Sequence, residues 1–250
     1  MSATHRRAVL AEFSHQAEAF NRSPTMTSDQ TLRALVDLLP AKAGERWLEV
    51  ACGPGLVARG LAPRVGEVVA GDVTPRMLAL GRREARAAGL RNVRYVEADA
   101  TSLPFAEGAF DGAVTRFSLH HIPDPGRVIA EMARVTKVGG HVASSEHLGS
   151  PNAAAHAWHE EIERLRDPSH WACLTPKRLS TLGRAAGLRL VKSRLEPFHL
   201  DFDEWLERGS TGPANRQLIE DLMERRADAY CALLPGRVLR FRLGRMLWRK

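Results

Sequence analysis

The feature that most constrains this chain is a regular alternation of short apolar runs with helical segments whose starts carry capping signals. Trp47-Leu48-Glu49-Val50-Ala51 reads as a short buried strand, followed by a Gly-Pro-Gly turn and a helix over 56–62. Glu67-Val68-Val69-Ala70-Gly71 is a second strand. Thr74-Pro75 then opens a helix, with Thr as N-cap and Pro at the first helical position, and Gly89 closes it. Further strands are expected at 93–98, 110–115, 141–145 and 188–195. Asp124-Pro125 and Thr175-Pro176 repeat the cap-plus-proline device between them. Upstream, Ser28 is placed to cap a helix over 28–39, where Leu32, Leu35, Val36 and Leu39 share one face. Residues 153–166, 203–208 and 215–234 look helical, and 237–248 look like a final strand.

Short apolar strands alternating with helices imply an α/β protein with a parallel, doubly wound sheet. Ligands of such sheets sit outside the carboxyl ends of the strands, where the strand order reverses. Chemistry is therefore expected just after strands one to five. The 250 residues read as a single domain, 1–250. It comprises N-terminal helices over 1–40, a core over 41–147 and helical additions over 150–175 and 203–236. A net charge of +7 suggests nucleic acid until it is located: the last fourteen residues hold six basic residues and no acid. Without those six, 30 basic residues face 29 acidic ones, so no polyelectrolyte partner is implied. No apolar run reaches the roughly 18 residues of a spanning helix, and no export signal is visible. Three widely spaced cysteines, Cys52, Cys173 and Cys231, fit a reducing cytoplasm rather than a disulfide framework or zinc ribbon.

Glu49-Val50-Ala51-Cys52-Gly53-Pro54-Gly55 lies on strand and turn, and its glycines let the backbone approach a ligand closely. With Asp72 nineteen residues after Gly53, the pattern also fits a dinucleotide fingerprint. Glu49 separates the readings. A carboxylate inside an apolar strand is costly to bury without a partner. At this position it would repel a pyrophosphate and hold an ammonium group.

Glu49-x-Ala51-x-Gly53-x-Gly55 resembles the first motif of the class I S-adenosylmethionine-dependent methyltransferases, and further motifs follow in register. Gly71-Asp72-Val73 resembles the second-strand motif, whose acid binds the ribose hydroxyls. Glu97-Ala98-Asp99-Ala100 resembles the motif whose Asp reads the adenine amino group. Ser118-Leu119-His120-His121-Ile122-Pro123 resembles the loop after strand four, and Lys137-Val138-Gly139-Gly140 the turn before strand five. The motifs cover residues 45–146. Phe13…Ala17-x-x-Phe20 is similar to a cofactor-closing segment of the ubiquinone/menaquinone-biosynthesis (methyltransferase type 11) group.

The resemblance implies a Rossmann-like seven-stranded sheet with an antiparallel last strand, which would make the basic tail a solvated edge element. It implies S-adenosyl-L-methionine as cofactor. It assigns Phe20, Glu49, Ala51, Gly53, Gly55, Asp72, Val73, Met77, Asp99, Ala100 and Arg116 to cofactor binding. Two departures stand out: Ala51 where the family often has Gly, and Val138 where it has Pro.

His120 and His121 fall beside the expected methyl group, and a histidine suits removal of a proton from a nucleophile. Both are candidate catalytic residues, with His120 placed first. Glu146, Arg166 and His170 are candidate substrate-binding residues. His156-x-x-His159-Glu160 places two imidazoles on one helix face, but no further ligand is visible in the sequence, so no metal is expected. The expected function is methyl transfer to a small-molecule acceptor, O-methylation first, without nucleic-acid or membrane partners. The alternatives are a non-methylating cofactor-binding descendant, either a cyclase or a binding subunit, and an NAD(P)-dependent oxidoreductase.

Overall fold

A computed structural model describes residues 2–23 and 29–250. Ser28, expected as a cap, and the side chain of Phe20 lie outside the described residues. Among the described residues, two N-terminal helices, α1 (Ala3–Arg22) and α2 (Asp29–Val36), precede the sheet. The core then runs β1 (Arg46–Val50), α3 (Leu56–Leu61), β2 (Glu67–Asp72), α4 (Pro75–Ala87), β3 (Val93–Glu97), β4 (Phe110–Arg116), α5 (Pro125–Val135) and β5 (Thr136–His147). It continues with α6 (Ala153–Arg166), α7 (Pro176–Ala185), β6 (Arg189–Asp201), α8 (Phe202–Arg208), α9 (Pro213–Arg225), β7 (Cys231–Leu234) and β8 (Val238–Arg249).

The sheet order is β3-β2-β1-β4-β5-β8-β6, with β7 paired to β8. β1 pairs in parallel with both β2 and β4, so the order reverses there, and the carboxyl ends of these strands form the crevice. Successive side chains of a strand face opposite sides. Leu48 and Val50 therefore join Phe110, Ile129 and Val142 in one core, while Trp47 packs with Val57, Leu61 and Val68 in the other. A third core, with Trp158, Ile162, Phe198, Trp205 and Phe241, lies under the helical additions.

The cap signals act as expected at Asp124 and Thr175, whose side chains accept the amides of Arg127 and Arg178. At Thr74 they do not: its side chain makes no cap bond, and Asp72 Oδ1 instead accepts the Thr74 amide at 2.8 Å.

Two expectations fail at the C-terminal end. The sheet has eight strands rather than seven, because Cys231–Leu234 is a strand and not the end of a helix over 215–234. A four-residue apolar run carries no periodicity that separates strand from helix. Pro235-Gly236 turns this run back onto β8, with Gly236 at φ +79° and Arg237 at φ +58°. The basic tail is also not a solvated edge. β8 lies between β5 and β6, antiparallel to both, and buries Leu239, Phe241, Leu243 and Trp248. Its Arg245 is buried and ion-paired with Glu196, and Arg237 in the preceding turn pairs with Asp203 and Glu220. The charge concentrated at the C-terminus is therefore partly neutralised by acids of the helical additions and β6. Among the described residues, no helix is long and apolar enough to cross a membrane.

Candidate functional site

Two adjoining cavities open at the carboxyl ends of the strands. The larger, about 880 Å³, lies over the β1–β2–β3 side. An acid from each strand end reaches it. Glu49, in β1, accepts the amides of Val57 (3.3 Å) and Ala58 (2.7 Å), so the carboxylate caps α3, whose own N-cap position is Gly55. Burial pushes this carboxyl up to about 7, while the two amides and the charges of Arg59 and Arg116 oppose the shift. Asp72, ending β2, accepts the amides of Gly53 and Thr74, both at 2.8 Å, and burial raises its pKa against those bonds. Asp99 lies two residues beyond β3. Burial pushes its carboxyl up, but bonds from the Thr101 amide and hydroxyl and the Arg6 charge outweigh it, so it sits below the usual carboxylate range.

The glycine turn follows from close packing. Gly55 has φ +73°, and a Cβ there would stand 2.6 Å from the Tyr95 hydroxyl. Ala51 also lies in the left-handed region, at φ +49°, which L-residues disfavour. Of the residues expected at the cofactor, Glu49, Ala51, Gly53, Asp72, Val73, Met77, Asp99, Ala100 and Arg116 all line this cavity. Gly55 lies behind it, against Tyr95. Buried Arg116 sets its guanidinium 4.7 Å from the Phe117 ring, and burial lowers its pKa to about 10, against the pull of Glu49.

The second cavity, about 500 Å³, lies between the loop after β4 and the helical additions. Phe198, Leu200, Trp205 and Phe241 give it apolar walls, and Gln16, Glu163, Arg166, Asp167 and Arg208 give it polar ones. Arg166 donates to the Trp205 carbonyl at 2.8 Å, with its guanidinium 4.9 Å from that ring. Arg208 donates to Ser23 Oγ (2.9 Å) and Glu204 (3.2 Å), and burial lowers its pKa to about 10.

Phe13, Phe117 and His121 line both cavities. Phe117 lies at φ +51°, just beyond the end of β4, a strained conformation of the kind that clusters at ligand sites. Helix α1 spans the mouth. His5 Nε2 donates to the His121 carbonyl (2.7 Å), Phe13 meets the His121 ring edge-on at 4.8 Å, and Gln16 donates to Asp167 (3.2 Å).

The two histidines differ. His120 lines only the second cavity, and its Nδ1 lies 2.9 Å from Glu146 Oε2. Glu146 Oε1 accepts the amides of Ser118 and Leu119, which fixes the loop. Burial pushes Glu146 up to about 8 and His120 well below its ordinary value, so both favour neutral forms. His121 Nδ1 stands 3.2 Å from the Ser169 carbonyl and 3.0 Å from Ser169 Oγ, and that hydroxyl donates to Asp167 at 2.6 Å. A carbonyl only accepts, so Nδ1 of His121 carries the hydrogen and Nε2 the lone pair. Burial lowers its pKa to about 4, with the Asp167 charge opposing.

Of the three expected substrate residues, Arg166 lines the second cavity. Glu146 stands behind the loop, and buried His170 bonds Glu160 at 3.2 Å. Sequence reasoning did not reach Phe117, Phe198, Arg208 or Phe241 as wall residues, because no local motif marks them.

Known proteins share this architecture. A family model described as a methyltransferase domain matches residues 48–144. The uncharacterized methyltransferase YcgJ of Bacillus subtilis is 28% identical over 227 residues, covering 89% of each chain. A demethylmenaquinone methyltransferase of Thermus thermophilus is 37% identical over 149 residues, covering 58% of this chain and 67% of that protein. The crystal structure of BH2331, a candidate methyltransferase of Bacillus halodurans C-125, superposes with a TM-score of 0.82 at 28% identity, covering 88% of this chain and 99% of the other.

Proposed function

The chain belongs to the class I S-adenosylmethionine-dependent methyltransferases, and from that premise we propose that it methylates a hydroxyl of a small acceptor held in the second cavity, with His121 taking the proton. The observation that carries this reading is that His121 lines both cavities, at the place where a methyl donor and an acceptor would meet.

The first cavity suits S-adenosylmethionine by its donor set. Glu49 at one strand end matches an ammonium group. Asp72 matches a ribose diol and Asp99 an adenine amino group, with Met77 and Ile122 as apolar wall. Asp72 holds two amides, one on each oxygen, and a carboxylate has about four lone-pair sites, so capacity remains for a ligand. Bound there, the cofactor supplies a methyl carbon on a sulfonium, an electrophile with its own leaving group. The protein's work is then alignment and exclusion of water. Phe13 and Phe117 wall the junction, and α1 covers it. His121 Nε2 accepts the acceptor's hydroxyl proton as the oxygen bonds to carbon, and Ser169 and Asp167 hold the ring in the tautomer this needs.

The aromatic walls favour a flat, largely apolar acceptor. Arg166 and Arg208 favour one that also carries a carboxylate or carbonyl. The test is acceptor-dependent formation of S-adenosylhomocysteine with hydroxylated aromatic acids, on the unaltered chain and on His121→Gln. The variant should bind S-adenosylhomocysteine within about twofold of the parent and turn over about 100-fold or more slower. Undiminished turnover in His121→Gln overturns the base assignment. Tight binding of the sulfur ligands without any methyl transfer, across acceptors with and without hydroxyls, overturns the reading as a methylating enzyme.

A further inference from the structure

Beneath the second cavity, four side chains from three separate segments turn toward one another. His147 ends β5, His159 and Glu163 sit one turn apart on α6, and Cys173 lies in the segment before α7. His147 Nε2 stands 3.3 Å from Cys173 Sγ and 3.5 Å from Glu163 Oε1, and His159 Nε2 lies 3.6 Å from the same Glu163 oxygen. One donor atom from each of His147, His159 and Cys173 falls within 4.8 Å of the other two. All four residues are more than nine-tenths buried. Among the described residues, neither ring nitrogen of His159 nor Glu163 Oε1 has a hydrogen-bond partner.

A polar atom buried without a partner is destabilising, so three in one cluster require an explanation. A histidine–carboxylate ion pair does not supply it, because a charge-assisted bond closes to about 2.7–2.9 Å. A bound ion does: around a four-coordinate ion with bonds of about 2.0–2.3 Å, ligand atoms stand about 3.3–3.7 Å apart, as His147 Nε2 and Cys173 Sγ do, and a His159 donor completes a set within 4.8 Å. We propose that His147, His159 and Cys173 bind a divalent transition-metal ion, zinc by the chemistry of the donors, with the Glu163 carboxylate beside the two imidazoles. Two imidazoles and a thiolate form a borderline-soft set that excludes magnesium and calcium.

A neighbouring trio, Glu160, His170 and Cys173, shares the thiol. Its carboxylate is already engaged: Glu160 accepts the Cys173 amide at 2.6 Å, Arg164 at 2.7 Å and His170 at 3.2 Å. His156, which shares a helix face with His159, instead lies 3.8 Å from Glu160. The proposed ligands also have a supporting frame. The His147 and His159 rings both stack on Phe241, with centroids at 5.1 and 5.2 Å. Held by three protein donors, the ion would act on the fold around it. It ties the end of β5 to α6 and to the segment before α7. His147 and Glu163 also line the second cavity, so the ion stiffens that cavity's wall. Binding converts the Cys173 thiol to thiolate and releases its proton to solvent.

The test uses the full chain, stripped with a chelator and titrated with cobalt(II) as a spectroscopic stand-in for zinc. The expected result is one equivalent bound, intense visible bands of a tetrahedral site, and a near-ultraviolet thiolate-to-cobalt band. The purified chain should also carry about one zinc per molecule by elemental analysis. Cys173→Ser should abolish the near-ultraviolet band. His159→Ala should weaken binding about 100-fold or more, while Glu160→Gln should retain it. Because the unaltered chain's spectrum reports geometry and thiolate ligation directly, a variant that fails to fold does not decide the matter. Weak octahedral bands in the unaltered chain overturn the proposal. So does a near-ultraviolet band that survives Cys173→Ser, or loss of binding in Glu160→Gln with retention in His159→Ala. Metal content is read without turnover, so this outcome is independent of the methyl-transfer reading.

Discussion

The two cavities are built by different means. In the first, each acid holds nearby backbone: Glu49 takes the amides of Val57 and Ala58, Asp72 those of Gly53 and Thr74, and Asp99 that of Thr101. The partners lie 2 to 19 residues away. In the second, side chains hold side chains across far longer separations: 26 residues for His120–Glu146, 48 for Ser169–His121, 151 for Gln16–Asp167 and 185 for Arg208–Ser23. A site organised by local backbone can be written in a short motif. A site organised by distant side chains exists only once the chain has folded. The family match reflects this division, since it ends at residue 144, before α6, α8 and β8 contribute their walls.

The sharpest way to break the comparison is Asp72→Ala. It removes the carboxylate expected to hold the ribose and leaves the amides of Gly53 and Thr74 without their acceptor. Affinity for S-adenosylhomocysteine should fall about 100-fold or more, and thermal stability should drop by about 1–3 kcal/mol. Calorimetric titration and a melting curve measure the two. An affinity within threefold of the parent would mean that this carboxylate does not organise the cofactor half.

The complementary change is Arg208→Met, which keeps the length of the side chain and removes its charge. Loss of a charge-assisted bond to an acidic acceptor should raise the acceptor's KM about 10- to 100-fold. Affinity for S-adenosylhomocysteine should stay within about twofold. A matching loss on the cofactor side would show that the two halves are not energetically separate.

Proton linkage provides a smaller and more graded test of Glu49. Its carboxyl is raised to about 7 by burial, so the free site holds a proton below that pH. An ammonium group requires the carboxylate, so binding expels the proton. Affinity for the cofactor should therefore fall by up to about tenfold per pH unit below about 7 and level off above it. Calorimetry in buffers of different ionisation enthalpy should detect the released proton at about pH 6. Glu49→Gln should flatten the profile. A pH-independent affinity in the unaltered chain would place the ammonium away from Glu49.

How far the sequence could be read follows the same division. The order of β1 to β5 and the helices between them was legible because apolar runs, Gly turns and Pro-led caps are local signals. So were nine of the residues that line the first cavity, Glu49 and Arg116 among them. Cys231–Leu234 was misread because pairing with β8 decides its state. The basic tail was misplaced because its partners Glu196, Asp203 and Glu220 lie on other elements. The pairing of His121 with Ser169, and the gathering of His147, His159 and Cys173, have no spacing signature, since their donors come from separate segments.

The smallest expected effect tests the legible half at its one irregular position. Ala51 occupies φ +49° between β1 and the glycine turn, where its family often has glycine. An L-residue in the left-handed region costs about 1–2 kcal/mol, and glycine gives back roughly 0.5–1 kcal/mol through the greater freedom of the unfolded chain. Ala51→Gly should therefore stabilise the free protein slightly, by about 0.5–1 kcal/mol, a shift of a few degrees or less in Tm. The methyl group has a second consequence, because Ala51 lines the cavity wall beside Glu49 and Gly53. If the methyl only strains the backbone, Ala51→Gly leaves cofactor affinity unchanged and raises Tm. If it packs against the bound ligand, Tm still rises but affinity falls. A lower Tm would mean that the surrounding turn, and not the residue, sets this conformation, and that the local backbone rule fails where it was expected to be strongest.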